Sequence, residues 1–240
     1  MSYVRPEGLP DLETHAFLVL DGSSSMLEKE LRTGGPKHKQ VAWLVQEALN
    51  RLDDPQYADT LLTVFGFSAD RTGVKIITLL EGHHPYNLKS YTGNTDLTPW
   101  DLLSPENRAR GMGGTTPIGA ALAFAREQAE AWVKAASGQV QRRAVLFLLS
   151  DGMGDAGQSG REQKQALEAF NATCEYGEIK LSTIGYFQYA EGTNTQEDEG
   201  RRLLIDLPLN PHGYFESDQV EEILGYILWT ITQVMDQEAA

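Results

Sequence analysis

The sequence has little with which to cross-link itself, cross a membrane or grip a polyanion. One cysteine, Cys174, stands among 240 residues, which excludes an internal disulfide. Leu167 and Phe170 share its helical face, so a core position is expected for it. No apolar run approaches the roughly 20 residues that span a bilayer. Residues 1–13 are polar, include Pro6 and Pro10, and lack the basic-then-apolar pattern of a secretory leader. A cytoplasmic location is therefore expected, and the glycosylation sequon Asn171-Ala172-Thr173 is discounted. Basic residues are scarce, 20 against 34 acidic ones, for a net charge of −14. Such a surface repels phosphate backbones and anionic lipid, so neither nucleic acid nor membrane is expected as a partner.

Several catalytic and nucleotide-binding patterns are also missing. No Gly-x-x-x-x-Gly-Lys-Ser/Thr stretch is present. Ser24 lies between Gly22 and Met26, outside the Gly-x-Ser-x-Gly frame of a nucleophile elbow. A phosphatase with an aspartyl nucleophile would carry a second aspartate where Ser23 stands. His83 and His84 are adjacent, so they point in different directions, and a loop or surface role is expected for them. Gly152-Met153-Gly154-Asp155-Ala156-Gly157 has the form Gly-x-Gly-x-x-Gly. Its Asp155 and the preceding Asp151 would repel a pyrophosphate, and a helix is expected only from about residue 161.

What is present alternates between strand and helix patterns. Ala16-Phe17-Leu18-Val19-Leu20 and Ala144-Val145-Leu146-Phe147-Leu148-Leu149 are short, continuously apolar runs, as in strands covered on both faces. Further strands are predicted at about 61–67, 74–80, 179–186 and 213–215. Helices are predicted at 37–52, 117–136, 161–175, 201–206 and from Ser217, as N-cap, to about 236. The link between 61–67 and 74–80 is too short for a parallel crossover, so those strands form an antiparallel hairpin with the second at the sheet edge. This pattern predicts an α/β fold: a doubly wound, mostly parallel sheet with one antiparallel edge strand. One domain is expected over residues 14–240, after a lead-in at 1–13. Residues 27–36, 81–112 and 187–212 are the irregular parts.

Both buried runs end on oxygen-bearing residues, the first in Asp21-Gly22-Ser23-Ser24-Ser25 and the second in Ser150-Asp151-Gly152. In open α/β sheets ligands sit beyond the carboxyl ends of strands, where the strand order reverses. If the two strands are neighbours there, Asp21 and Asp151 share a cleft, and like charges in one cleft need a cation between them. Neither motif contains a lysine or arginine. A hard divalent cation would meet the need, with Ser23, Ser25 and a threonine from Gly113-Gly114-Thr115-Thr116-Pro117 adding neutral oxygens. Taken singly, Thr116 before Pro117 also reads as a helix N-cap, and Asp-Gly-Ser and Ser-Asp-Gly also read as turns.

Asp21-x-Ser23-x-Ser25, the Gly-Gly-Thr-Thr-Pro-Ile-Gly segment and Ser150-Asp151-Gly152, in that order, resemble the metal-ion-dependent adhesion site (MIDAS) of von Willebrand factor A (vWA) domains of the bacterial intracellular type. The likeness covers roughly residues 14–236. It implies a Rossmann-like vWA fold with Asp21, Ser23, Ser25, Thr116 and Asp151 as metal ligands, Thr115 being the alternative threonine. Ser24 stands where the family more often has glycine. The resemblance further implies Mg²⁺, with Mn²⁺ or Ca²⁺ as alternatives, and a partner protein whose Asp or Glu carboxylate completes the coordination. The expected role is a binding module and not an enzyme, set in a bacterial signalling, stress or defence assembly. The rival expectations are a metal-dependent hydrolase or phosphotransfer protein, and an interaction scaffold whose metal site is structural or vestigial.

Overall fold

The computed structural model describes residues 11–29, 34–57, 59–83, 96–136, 140–151, 157–187, 192, 195–210 and 212–236. Six strands form one sheet in the order β3-β2-β1-β4-β5-β6. They are β1 (Asp11–Asp21), β2 (Thr60–Asp70), β3 (Gly73–His83), β4 (Val140–Ser150), β5 (Gly177–Gly185) and β6 (Tyr214–Glu216). All neighbours pair in parallel except β2 and β3, which form the expected antiparallel hairpin with β3 at the edge. The fold is thus doubly wound α/β, and the strand order reverses between β1 and β4.

The two central strands are apolar throughout because both their faces are covered. Side chains alternate along a strand, so Leu18, Leu20, Phe147 and Leu149 join one core layer and Phe17, Val19, Leu146 and Leu148 the other. The first layer is closed by α1 (Lys37–Leu52) and α6 (Val220–Asp236), through residues such as Leu44, Leu49, Ile223 and Ile227. The second is closed by α3 (Ile118–Lys134), α4 (Gly157–Thr173) and α5 (Thr195–Asp206), through Leu122, Leu167 and Leu204. A short α2 (Pro105–Ala109) and a 3-10 turn (Thr98–Trp100) lie within the stretch expected to be irregular.

Several boundaries differ from the sequence pattern. Residues 11–13 are already strand, because Asp11, Leu12 and Glu13 pair with Val140, Gln141 and Arg142 of β4. Helix α5 starts at Thr195, before the expected 201. Ser217 is not the N-cap of α6. Its hydroxyl accepts from Gln219 N at 3.0 Å and donates to Glu222 at 2.6 Å, fixing the turn that enters the helix. Cys174 is only partly buried, against the α3–α4 layer. His83 is exposed at the end of β3, and His84 lies outside the described residues. Among the described residues no helix is long and apolar enough to cross a membrane.

Candidate metal centre

Register places the two carboxylates together. Leu20 pairs with Leu149, so Asp21 leaves the sheet level with Ser150 and beside Asp151. Both aspartates are fully buried. Asp21 Oδ2 accepts from the Ser150 hydroxyl at 2.5 Å, and its Oδ1 accepts from the backbone N–H of Ser23 at 2.8 Å. The chain then turns through a 3-10 segment, Ser24–Leu27. That turn sends Ser23 and Ser25 inward, their hydroxyl oxygens 2.9 Å apart, while Ser24 is exposed. The serine that departs from the family pattern is therefore the one that faces water.

The threonine loop is tied to the same turn. Gly113 N donates to Gly22 O at 2.7 Å, and Ser24 N donates to Gly114 O at 2.8 Å. Thr115 pairs with Ala69 at the end of β2 through two backbone bonds of 2.8 and 3.0 Å. This approach requires glycine at 114, since a Cβ there would stand 1.8 Å from Ala69 O. Thr115 is exposed, with its hydroxyl 3.5 Å from Ala69 O, while Thr116 is wholly buried. Helix α3 begins at Ile118 with Pro117 in the N-cap position. Thr116 therefore precedes the cap and does not form it.

The electrostatics carry the strain expected of two acids in one cleft. Burial, followed by the charge of Asp151, pushes the Asp21 carboxyl up to about 7, against hydrogen bonds from Ser150 and Ser23 that lower it. Among the described residues, a cation from outside both motifs reaches the site. Lys37, the first residue of α1, is fully buried and places Nζ 3.2 Å from Asp151 Oδ2. Its Nζ is also 3.9 Å from Glu28 Oε2, whose side chain is half exposed. Two residues that matter here, Lys37 and Ser150, were outside the expected ligand set. Ser150 was traceable, since it is the strand neighbour of Asp21. Lys37 was not, because only the fold turns it, and not Lys39, toward the strand ends.

The donor set suits a hard divalent ion in kind. Asp21 and Asp151 would supply charge, and Ser23, Ser25 and Thr116 would supply neutral oxygens. Bound there, the ion would act as a Lewis acid open to an outside carboxylate. Among the described residues there is no cluster of three or more His, Cys, Asp or Glu side chains that could hold a metal. Any ion here therefore depends on the hydroxyls, and it must share Asp151 with Lys37.

The glycine motif after β4 needs a correction. Helix α4 opens at Gly157, the last glycine of that motif, and not at 161. A late helix start is therefore no argument against nucleotide binding; the carboxylate at Asp151 is. Residues 152–156 lie outside the described residues.

No protein-family model matches the sequence, and no curated protein matches it. Solved structures do match. The pilus adhesin SpaC from Lactobacillus rhamnosus GG superposes with a TM-score of 0.61 at 13% identity, over 96% of this chain and 32% of its own. The vWF domain of the type V pili tip protein Mfa5 from Porphyromonas gingivalis gives 0.53 at 11% identity, over 93% of this chain and 95% of its own. Proximal thread matrix protein 1 from the mussel byssus, solved with a zinc-occupied MIDAS motif, gives 0.53 at 16% identity, over 93% and 48%. The chain thus spans about a third of SpaC and about half of the byssus protein. At such identities the likeness shows the fold, the Rossmann-like α/β fold of vWA-type domains.

Proposed function

We propose that this chain is a metal-dependent protein-binding module. A Mg²⁺-class ion is held by Asp21, Ser23, Ser25, Thr116 and Asp151, and a partner protein's Asp or Glu carboxylate completes its coordination. One observation carries the reading: two fully buried aspartates at the strand-order reversal, with the hydroxyls of Ser23 and Ser25 turned in beside them. Because the hydroxyl ligands are neutral, the two aspartates no more than balance the ion's charge, and it can still take an external carboxylate as a further ligand. An adhesin and a matrix protein among the structures of this fold support a binding role, and the matrix protein carries a zinc-occupied MIDAS. Those neighbours include pilus proteins, so the fold itself does not choose between the cytoplasm and the cell surface.

The test is a calorimetric titration of Mg²⁺ and Mn²⁺ into the wild type and Asp21→Ala, paired with a pull-down with and without EDTA. The wild type binds one ion, the variant binds none, and the captured partner is lost in EDTA. Equal metal affinity in the two proteins would overturn the assignment. The Lys37–Asp151 pair favours a second reading, a scaffold that binds its partner without metal. A partner complex that survives EDTA and the Asp21→Ala change would establish that one.

A further inference from the structure

Lys37 stands where two effects oppose a cation. It is the first residue of α1, at the positive end of the helix dipole. It is also fully buried, which strips its ammonium of water. The carboxylates that offset both effects differ in setting. Asp151 Oδ2, at 3.2 Å, is inside the candidate metal centre and fully buried. Glu28 Oε2, at 3.9 Å, is on the rim, with its side chain half exposed. The backbone holds this geometry, since Lys37 N donates to Glu28 O at 3.0 Å.

Resting on the metal-site reading above, we propose that Lys37 is a tethered rival to the metal ion. Its ammonium neutralises Asp151 in the cation-free protein, and a divalent ion gains Asp151 only by displacing Nζ toward Glu28. With Lys37 on Asp151, the ion meets a cleft in which one of two carboxylates is already paired. Two consequences follow. Metal affinity is set low by the chain itself, and metal binding rearranges a charge at the rim. The Lys37–Glu28 pair, 3.9 Å apart in the structure, then tightens beside the position from which a partner's carboxylate must approach.

The experiment is a calorimetric Mn²⁺ titration of the wild type, Lys37→Met, Lys37→Gln and Glu28→Gln, with a thermal melt of each in EDTA and in Mn²⁺. Both Lys37 variants are expected to bind Mn²⁺ at least about tenfold tighter than the wild type, because the ammonium that competes for Asp151 is gone. In EDTA they melt lower than the wild type, and Mn²⁺ closes the gap. Glu28→Gln removes the landing place for Nζ and binds Mn²⁺ more weakly. A cooperatively melting Lys37 variant that binds Mn²⁺ no tighter than the wild type overturns the proposal. Should neither Lys37 variant fold, unchanged affinity in Glu28→Gln overturns it. Overturned in either way while the wild type still binds Mn²⁺, the proposal falls and the metal site stands. Absence of Mn²⁺ binding from the wild type and all three variants overturns both.

Discussion

Two buried acidic clusters meet the same turn of α1, and their charges balance differently. Lys37 reaches Asp151, which shares its cleft with Asp21. The next two residues reach Asp101: His38 Nδ1 and Lys39 Nζ each lie 2.6 Å from its carboxylate oxygens, and Leu103 N adds a third contact at 3.1 Å. Burial works to raise the Asp101 pKa, but hydrogen bonds from Lys39 and His38 outweigh it and hold the carboxyl below its ordinary value. At the strand ends the sign reverses, and Asp21 is pushed up to about 7. Asp101 has more donors than it needs. With Asn107 donating to its backbone carbonyl and Trp100 donating to Gln46, it pins residues 96–112 against α1. Among the described residues, the cation paired with Asp151 is Lys37, and the charge of Asp151 still raises Asp21. A satisfied carboxylate makes a clamp, while a surplus of buried negative charge makes a place for a cation.

The widest separation is expected from removing each acid. Asp21→Ala abolishes measurable Mn²⁺ binding, a loss of about a hundredfold or more, since it takes away half the charge that holds the ion. Asp101→Ala leaves that affinity nearly unchanged but costs on the order of 3 kcal/mol of stability, because it strands His38 and a buried backbone donor. Calorimetry and urea denaturation of the two variants check both halves. A loss of metal binding in Asp101→Ala would erase the distinction between clamp and site.

Acidity separates the clusters next, with opposite signs. A carboxyl raised in the folded state favours folding below its unfolded value, 3.8, and that contribution is lost as pH rises through about 7. A lowered carboxyl such as Asp101 contributes above its unfolded value and loses that contribution as pH falls through the lowered one. In EDTA, the stability supplied by Asp21 should therefore fall by a few kcal/mol in order of magnitude between about pH 4 and pH 8. Mn²⁺ or Asp21→Asn should flatten that slope. Urea melts across this range measure it, and a wild-type slope unchanged by both would contradict the charge-surplus account.

A smaller effect is expected at the threonine loop. Gly114→Ala drives a Cβ into Ala69 O, so the loop must shift. About 2 kcal/mol of stability and about a tenfold loss of Mn²⁺ affinity should follow. Smallest is the contrast between the neighbouring hydroxyls: Thr116→Val weakens Mn²⁺ about tenfold, and Thr115→Val changes it little. The reverse order, read by the same titration, would move the ligand to Thr115.

Much of this architecture was legible in the sequence. The runs 16–20 and 144–149 are apolar on both faces because helices cover both faces, and that alone placed β1 and β4 at the centre of the sheet. The short link before Gly73 dictated the hairpin. The motif residues sit at strand ends and at the start of α3, where local pattern and function coincide. The Asp101 clamp was not legible, because its partners lie on α1, far away in the sequence, and its own segment has no periodicity. Lys37 was hidden for a similar reason. It follows Pro36 at the start of a helix, two residues before Lys39, and nothing local distinguishes the one that turns inward.

The central claim is that the surplus of acid at Asp21 and Asp151 holds a divalent ion together with the hydroxyls of Ser23, Ser25 and Thr116. Anomalous diffraction at the manganese edge, from crystals grown with Mn²⁺, tests it most directly. The account predicts one peak about 2.1 Å from the Ser23 and Ser25 hydroxyl oxygens, with Lys37 Nζ moved off Asp151. Crystals grown in saturating Mn²⁺ with no peak there, and with Lys37 still on Asp151, would contradict it.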